Sequence, residues 1–189
     1  MLSYNEVRER SYIVHQGEPN EVLSSKIFRK QQRKPVNQIK LKNLITGKQT
    51  ETTIHQSEKV EPASIETRDI KYLYSRRGES WFCEVDDPSD RFSIPDERIE
   101  DSKPFIREDD IVTALIYEDE VVGIKLPIKV ELEVREAPPN IKGNTSSGGN
   151  KSVTLETGYT VNAPLFINPG DILRINTETG EYVERVEKA

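Results

Sequence analysis

The chain has 189 residues, of which 34% are hydrophobic and 32% charged, and its formal net charge is −6. This composition, with 11 Pro and 10 Gly, favours several small β-rich modules over one deep core. The single cysteine excludes an internal disulfide and a cysteine-based zinc site. No apolar run reaches the roughly 20 residues that span a bilayer, and none resembles a secretory signal. We therefore expect a soluble, cytoplasmic protein without membrane contact.

The first part of the chain predicts hairpins. Residues 12–15 and 22–23 flank a turn sequence that contains Gly17, and Ile39 and Leu41 alternate with lysines in a later strand. The decapeptide FRKQQRKPVN, residues 28–37, is therefore expected to be the loop that joins two strands.

Positive charge is concentrated around this loop. Residues 24–50 contain eight Lys or Arg and no Asp or Glu, so the rest of the chain holds 19 of the 27 basic residues and all 33 acidic ones. Surfaces that face only solvent usually mix charge signs, and the segregation favours a polyanionic partner such as RNA. The alternative is a basic hairpin that only neutralises the acidic remainder.

The middle of the chain predicts a second β unit. Tyr72 and Tyr74 alternate before a turn, and Trp81 and Cys83 alternate after it. This pattern predicts that the four side chains face the core and that Phe82 points outward. We therefore expect nucleic-acid contact mainly in the first domain rather than through base stacking on these aromatic residues.

A short internal repeat suggests how the remainder is organised. The sequences Asp-Ile-Val at Asp110 and Asp-Ile-Leu at Asp171 lie 61 residues apart, and each is followed by an acidic turn and a second strand. This spacing suits duplication of a small five-stranded barrel. We predict domains at residues 1–63, 64–128 and 129–189.

Catalytic and metal-binding patterns are not evident. Residues 143–152 lack the spacing and the following helix of a phosphate-binding loop, and His15 and His55 have no partner at metal-ligand spacing. The acidic clusters are typical of solvated turns. We expect no enzyme activity, no catalytic residue, no metal and no cofactor.

Several longer motifs occur in order along nearly the whole chain. They lie at residues 40–48, 72–74, 123–127, 143–149, 151–158, 164–168, 170–171 and 179–182. In sequence and spacing they resemble the bacterial translation elongation factor P family. Val153 and Asn144 are small departures, because the family usually has Ala and Asp there.

The resemblance implies an all-β fold with an SH3-like, KOW-type N-terminal barrel followed by two OB-fold barrels. It also implies a monomer that binds both ribosomal subunits, with peptidyl-tRNA and rRNA as partners, and promotes peptide-bond formation at consecutive prolines. By the same resemblance two groups of residues would bind RNA or lie near the messenger. They are Arg29, Lys30, Lys40 and Lys42 in the first domain, and Gly143, Asn144, Thr145, Gly148 and Gly149 in a third-domain loop.

The loop tip departs from the family pattern. The family usually has a modified Lys or Arg between glycines at the tip, whereas here the tip falls on Gln32, between Gln31 and Arg33. Two interpretations stay open: the unmodified cations Arg33 and Lys34 act in its place near the peptidyl-transferase centre, or the chain is a divergent paralogue that binds ribosomes without relieving proline stalls. A single-stranded RNA-binding OB protein acting away from the ribosome is a third possibility.

Overall fold

The structure is a computed structural model that describes residues 1–29, 34–139 and 149–189. Within these ranges the chain forms antiparallel strands in three sheets and two short 3₁₀ helices, at Asp96–Ile99 and Lys103–Phe105, which confirms the all-β class. The strands are β1 (Leu2–Ser3), β2 (Tyr12–His15), β3 (Glu18–Phe28), β4 (Val36–Asn43), β5 (Gln49–His55), β6 (Lys59–Pro62), β7 (Glu66–Arg76), β8 (Glu79–Glu84), β9 (Arg91–Pro95), β10 (Ile111–Tyr117), β11 (Glu120–Lys125), β12 (Lys129–Glu136), β13 (Asn150–Leu155), β14 (Thr160–Pro164), β15 (Ile172–Asn176) and β16 (Tyr182–Glu187).

The first sheet has the strand order β1-β6-β2-β3-β4-β5. The predicted hairpin is confirmed: Gln16 and Gly17 both have positive φ, the geometry of a two-residue turn whose twist matches that of its strands. Alternation along β4 turns Ile39 and Leu41 into the core, as predicted. The core of this sheet consists of Val7, Ile13, Val22, Ile39, Leu41 and Ile54.

A buried asparagine fixes the β3–β4 hairpin to the N-terminal segment. Asn37 is fully buried, and its amide nitrogen donates to the carbonyl oxygens of Tyr4 at 2.7 Å and Val7 at 3.0 Å. Ser25, which lies diagonally across from Asn37 on β3, donates its hydroxyl to the Asn37 amide oxygen at 3.0 Å and also to the Val7 carbonyl. The polar atoms of Asn37 are therefore satisfied, which removes the cost of burying them.

The middle sheet has the order β11-β10-β7-β8-β9 and corrects the prediction for its aromatic residues. Phe82 is fully buried against Tyr72, with ring centroids 5.3 Å apart, whereas Tyr74 is 40% exposed and stacks on the half-buried Trp81. The cause is a register shift between Tyr72 and Tyr74, which moves the later residues of β7 to the opposite face. Cys83 is buried, as predicted.

The third sheet has the order β14-β13-β12-β15-β16, which repeats the topology of the middle sheet. In both sheets the first strand lies between the second and the fourth. The two echo motifs occupy equivalent turns: the Asp110 side chain accepts a hydrogen bond from the backbone N–H of Arg107, three residues earlier, and Asp171 accepts one from Asn168 in the same way. Both turns lead directly into the fourth strand, which supports the duplication.

The chain divides into two compact units. One contains residues 1–99 and 111–124, and the other contains residues 100–110 and 125–189. Within the first unit, Leu44 from the end of β4 packs with Leu115 and Val122 of the middle sheet, so two sheets share one unit. The three domain boundaries expected from the sequence stay a prediction. In the described ranges, no helix is both long enough and apolar enough to cross a membrane.

Candidate nucleic-acid interface

The β3–β4 hairpin carries the predicted RNA-binding residues of the first domain. Its strands pair as far as Phe28 opposite Val36, so the strands include both ends of the decapeptide predicted to be the loop, and residues 29–35 connect them. Arg29 and Lys34 are exposed within this connection, and Lys40 and Lys42 are half-buried on β4. The remaining predicted residues of the connection, Lys30, Gln31, Gln32 and Arg33, lie outside the described residues.

Burial falls along the hairpin toward its distal end. Pro19, Asn20 and Val22 near the start of β3 are buried, whereas Lys26, Ile27 and Phe28 at its end are exposed. The last two are large apolar side chains, with 53% of Ile27 and 45% of Phe28 exposed. The distal end therefore combines exposed apolar surface with cationic side chains.

The register of three strands defines the outer face of this hairpin. Because Asn37, Ile39 and Leu41 point into the core, the alternate residues of β4 point outward, together with their partners on β3 and β5. We call this surface the outer face and define it by three cross-strand rows. The rows are Phe28–Val36–His55 at the distal end, then Lys26–Gln38–Thr53, then Ser24–Lys40–Glu51.

The cations at the distal end are not neutralised by the described part of the chain. Among the described residues, Lys26, Arg29 and Lys34 form no ion pair with a carboxylate. On the three rows of the outer face the only carboxylate is Glu51, in the row farthest from the distal end. A surface of this kind attracts phosphate groups and releases their counterions on binding.

Arginines of the third sheet, in contrast, bind carboxylates within the same unit. The Arg174 guanidinium contacts Glu131 at 2.7 Å and also contacts Glu184. Hydrogen bonds to Glu131 and then to Glu184 raise the pKa of Arg174 above its usual range. These groups lie directly across from each other on β12, β15 and β16, so this face of the sheet is internally compensated.

Asp171 is the fully buried carboxylate of the same unit. Burial alone would raise its pKa, but backbone N–H groups of Asn168 and Ala189 donate to it and Arg185 lies 3.2 Å away. These interactions outweigh burial and lower the pKa of Asp171 below its ordinary value. The Arg185 guanidinium also lies over the Phe166 ring, 4.9 Å from its centroid.

The predicted third-domain loop is described only at its end. Gly143, Asn144, Thr145 and Gly148 lie outside the described residues. Gly149 precedes β13, and its carbonyl accepts a hydrogen bond from the N–H of Leu165 at 3.3 Å. A Cβ on Gly149 would lie 3.3 Å from the Leu165 side chain, so this position leaves little room for a larger residue.

The histidines and acidic clusters can be placed as well. His15 and His55 lie on strands β2 and β5, as predicted. Across the described ranges, no group of three or more His, Cys, Asp or Glu side chains is arranged to hold a metal ion. The acidic sequence Glu118–Asp119 forms the predicted turn between β10 and β11, with positive φ at both residues.

Comparison with known proteins shows to which family the chain belongs. Three family models match the chain in order: the elongation factor P KOW-like domain at residues 3–60, its OB domain at residues 65–124 and the elongation factor P C-terminal model at residues 130–185. Elongation factor P of Carboxydothermus hydrogenoformans is 38% identical over 98% of this chain and its own full length. That of Thermodesulfovibrio yellowstonii is 39% identical over the full length of both chains.

The chain belongs to the elongation factor P family. It is therefore a member of a family of translation elongation factors, as the motifs indicated. The first sheet is the SH3-like, KOW-type domain and the middle sheet is an OB domain. The third sheet has the same strand order as the middle one, which makes it the second OB-type barrel.

A solved structure shows the same fold at low sequence identity. The eukaryotic translation initiation factor 5A from Methanococcus jannaschii is similar with a TM-score of 0.50 and 15% identity, over 66% of this chain and 90% of that chain. At this identity the similarity concerns the fold alone.

Sequence reasoning missed part of the hairpin surface. Phe28, Val36 and His55 were not predicted as members of one row, and Lys26 was counted only as part of the basic stretch. Alternation with Ile39 and Leu41 would have placed Val36 on the outward side of β4. The pairing with Phe28 and His55 depends on strand register, which the connecting sequence does not specify.

Proposed function

We propose that this translation elongation factor binds the ribosome beside peptidyl-tRNA and promotes peptide-bond formation, especially between consecutive prolines. The observation that carries the proposal is the cationic distal end of the β3–β4 hairpin, where Lys26, Arg29 and Lys34 are exposed and without an ion pair among the described residues. The Glu58 carboxylate nevertheless lies beside the neighbouring strand, 2.8 Å from the backbone nitrogen of His55. Phosphates of the tRNA acceptor arm and of rRNA are the polyanions that such a hairpin would meet on a ribosome.

The proposed mechanism is positioning rather than chemistry. Proline is a poor partner in peptide-bond formation partly because its ring fixes φ and restricts the geometries available for attack. A cationic arm that holds the acceptor end of the tRNA in a productive pose lowers the entropic part of the barrier. It also places fixed positive charge where negative charge develops. None of these effects requires a catalytic residue or a cofactor in this chain.

The connection between the strands supplies the group nearest to the reacting centre in this proposal. Gln32 has no amine to modify, so the charge must come from its unmodified neighbours, Arg33 and Lys34. Residues 143–149 of the third domain would approach the small subunit near the exit-site codon. In this arrangement the factor contacts both ribosomal subunits as a monomer.

Peptide-bond formation between two prolines in a reconstituted translation system tests the proposal. We expect the wild-type chain to accelerate the reaction, the double variant Arg33→Ala, Lys34→Ala to lose this effect, and Gln32→Ala to retain it. The double variant keeps the rest of the hairpin, so a loss reports on charge near the tip. Loss in Gln32→Ala with retention in the double variant would contradict the role of the two cations.

The departure at Gln32 favours one second candidate, a paralogue that binds ribosomes without relieving proline stalls. Cosedimentation with ribosomes separates the candidates. Binding without any acceleration by the wild-type chain supports the paralogue, and failure to cosediment refutes both. Intact mass measurement adds a further check, because an added mass in the peptide that contains Gln32 would contradict an unmodified tip.

A further inference from the structure

The outer face has an aromatic residue at its distal end and polar or cationic residues behind it. Phe28 is 45% exposed on this face, beside the half-buried Val36 and the exposed His55. Lys26 lies two residues earlier on the same face of β3, which corresponds to a rise of about 7 Å along the strand. An exposed aromatic ring on a surface that also carries cations is the combination that proteins use to bind single-stranded nucleic acids.

We propose that Phe28 is a base-stacking residue, and that the outer face binds an unpaired stretch of RNA with one base on the Phe28 ring. Lys26 and Arg29 contact the flanking phosphates in this proposal. Gln38 and Thr53, in the second row, offer hydrogen-bonding groups to the next nucleotide. The inference rests on the proposed function in one respect: the single strand would be an end or loop of a ribosomal or transfer RNA.

The exposed apolar surface is too small to favour a protein partner. A specific protein interface covers about 800 Å² on each side, whereas a Phe side chain buries at most about 250 Å². Val36 is already half-buried, and the next row on the same face is polar throughout. One aromatic ring among cations and amides suits a nucleobase, which presents an apolar face within a polar, charged polymer.

Double-stranded RNA fits this surface less well than a single strand. In a duplex the bases are stacked on each other, so Phe28 would find no free base face and only the cations would contribute. Single-stranded RNA offers both the phosphate and the ring contact. The two forms differ in charge density, so the contribution of the ring is isolated by comparing the loss that Phe28→Ala causes on each form.

Ile27 provides a matched control for Phe28. It is the adjacent residue on β3, it is more exposed than Phe28, and alternation directs it to the opposite face, across from Asn37. Truncating either residue removes exposed apolar surface from the same strand end. Only truncation of Phe28 removes a ring from the outer face.

The test measures binding of the full chain to a short single-stranded RNA containing 2-aminopurine, a base whose fluorescence falls when it stacks on an aromatic ring. A duplex of the same sequence serves as the second probe. We expect Phe28→Ala to weaken single-strand binding about tenfold and to remove the quenching. Phe28→Trp should retain both, and Ile27→Ala should change affinity less than about twofold.

Two controls accompany this measurement: binding to the RNA duplex and thermal unfolding of each variant. Phe28→Ala should leave duplex binding unchanged, and its thermal midpoint should fall by only a few degrees, because about half of the side chain is already exposed. Equal losses for the two RNA forms, equal losses for Phe28→Ala and Ile27→Ala, or no single-strand binding by the wild-type chain would each overturn the inference. Capture of a ribosomal protein through Phe28 in place of RNA would overturn it as well.

The result is distinguishable from failure of the proposed function. Diprolyl synthesis is measured with the same variants. Stimulation by the wild-type chain that Phe28→Ala leaves intact would remove the stacking role and keep the proposed function. Quenching that depends on Phe28 in a wild-type chain that does not stimulate diprolyl synthesis would keep the RNA surface and remove the proposed function.

Discussion

The first and third sheets use their basic residues in opposite ways. On the third sheet Arg174 lies between Glu131 and Glu184, and Arg185 lies against the buried Asp171. On the first sheet Lys26 and its neighbours at the distal end of the hairpin form no such pair among the described residues. The overall charge of −6 therefore says little about where the chain can bind RNA. RNA binding depends instead on whether a carboxylate of the same chain already pairs with each basic side chain.

The largest expected effect comes from neutralising the hairpin. The triple variant Lys26→Gln, Arg29→Gln, Lys34→Gln should lower affinity for ribosomes roughly 100-fold, and it should reduce the slope of log K against log salt by about 2 to 3. The physical reason is that the variant makes fewer phosphate contacts, so its binding releases fewer counterions from the RNA. Cosedimentation or fluorescence anisotropy over a salt series measures both quantities.

A matched triple in the second unit is the control. Lys125, Lys129 and Arg135 are exposed, and changing all three to Gln alters the net charge by the same amount and residue types. This variant should bind ribosomes within a few fold of the wild-type chain. Equal losses in the two triples would mean that net charge, rather than the hairpin, controls association.

A smaller effect is expected on stability when the buried pair of the third sheet is broken. Asp171→Ala should lower the free energy of unfolding by about 2–3 kcal/mol, because it leaves two backbone N–H groups and Arg185 without their acceptor. Asp110 makes the equivalent turn but is only half-buried. Asp110→Ala should therefore cost less, and urea denaturation of both variants checks the order.

The same carboxylate predicts a pH dependence. The pKa of Asp171 is lower in the folded chain than the ordinary value near 3.9, so the unfolded chain binds the proton more readily. Its contribution to stability is complete above about pH 4 and is lost as the pH falls through the folded pKa. Denaturation at pH 7 and at pH 3 should show a smaller difference for Asp171→Asn than for the wild-type chain.

The smallest effect is expected from the exposed pairs. Arg174→Gln removes contacts with Glu131 and Glu184, but all three side chains are partly exposed to solvent. We expect the free energy of unfolding to fall less than in Asp110→Ala, because ion pairs between exposed side chains contribute little. A thermal unfolding series checks the order, and a loss as large as that of Asp171→Ala would show that this face is coupled to the core.

Local patterns in the sequence predicted most of the elements. The turn with Gly17, where φ is positive, was identified because few other residues adopt this geometry readily. The repeat at Asp110 and Asp171 indicated two related sheets because the same side chain stabilises the same turn before the same strand. These features depend on a few adjacent residues, so a single sequence contains them.

Features that depend on partner strands were not predicted. The shift between Tyr72 and Tyr74 turned Tyr74 outward, and Phe82 faces the core because it pairs with the buried Tyr72; no residue type marks such a bulge in advance. The row Phe28–Val36–His55 joins three strands whose register is fixed by pairing along their whole length. The candidate surface was therefore located by its charge, whereas its aromatic part became visible only with the register.

The amide of Asn37 has a mechanical consequence for the hairpin. It joins β4 to the carbonyl groups of Tyr4 and Val7, close to where β3 leaves the core. Its Cα partner across β3 is Ile27, one residue before Phe28, so these contacts brace the hairpin about one residue, or roughly 3.4 Å, from the row that contains Phe28. A tilt of the described strand ends away from the N-terminal segment would have to break both of these hydrogen bonds, so Asn37 fixes the orientation of the surface on which Phe28 lies.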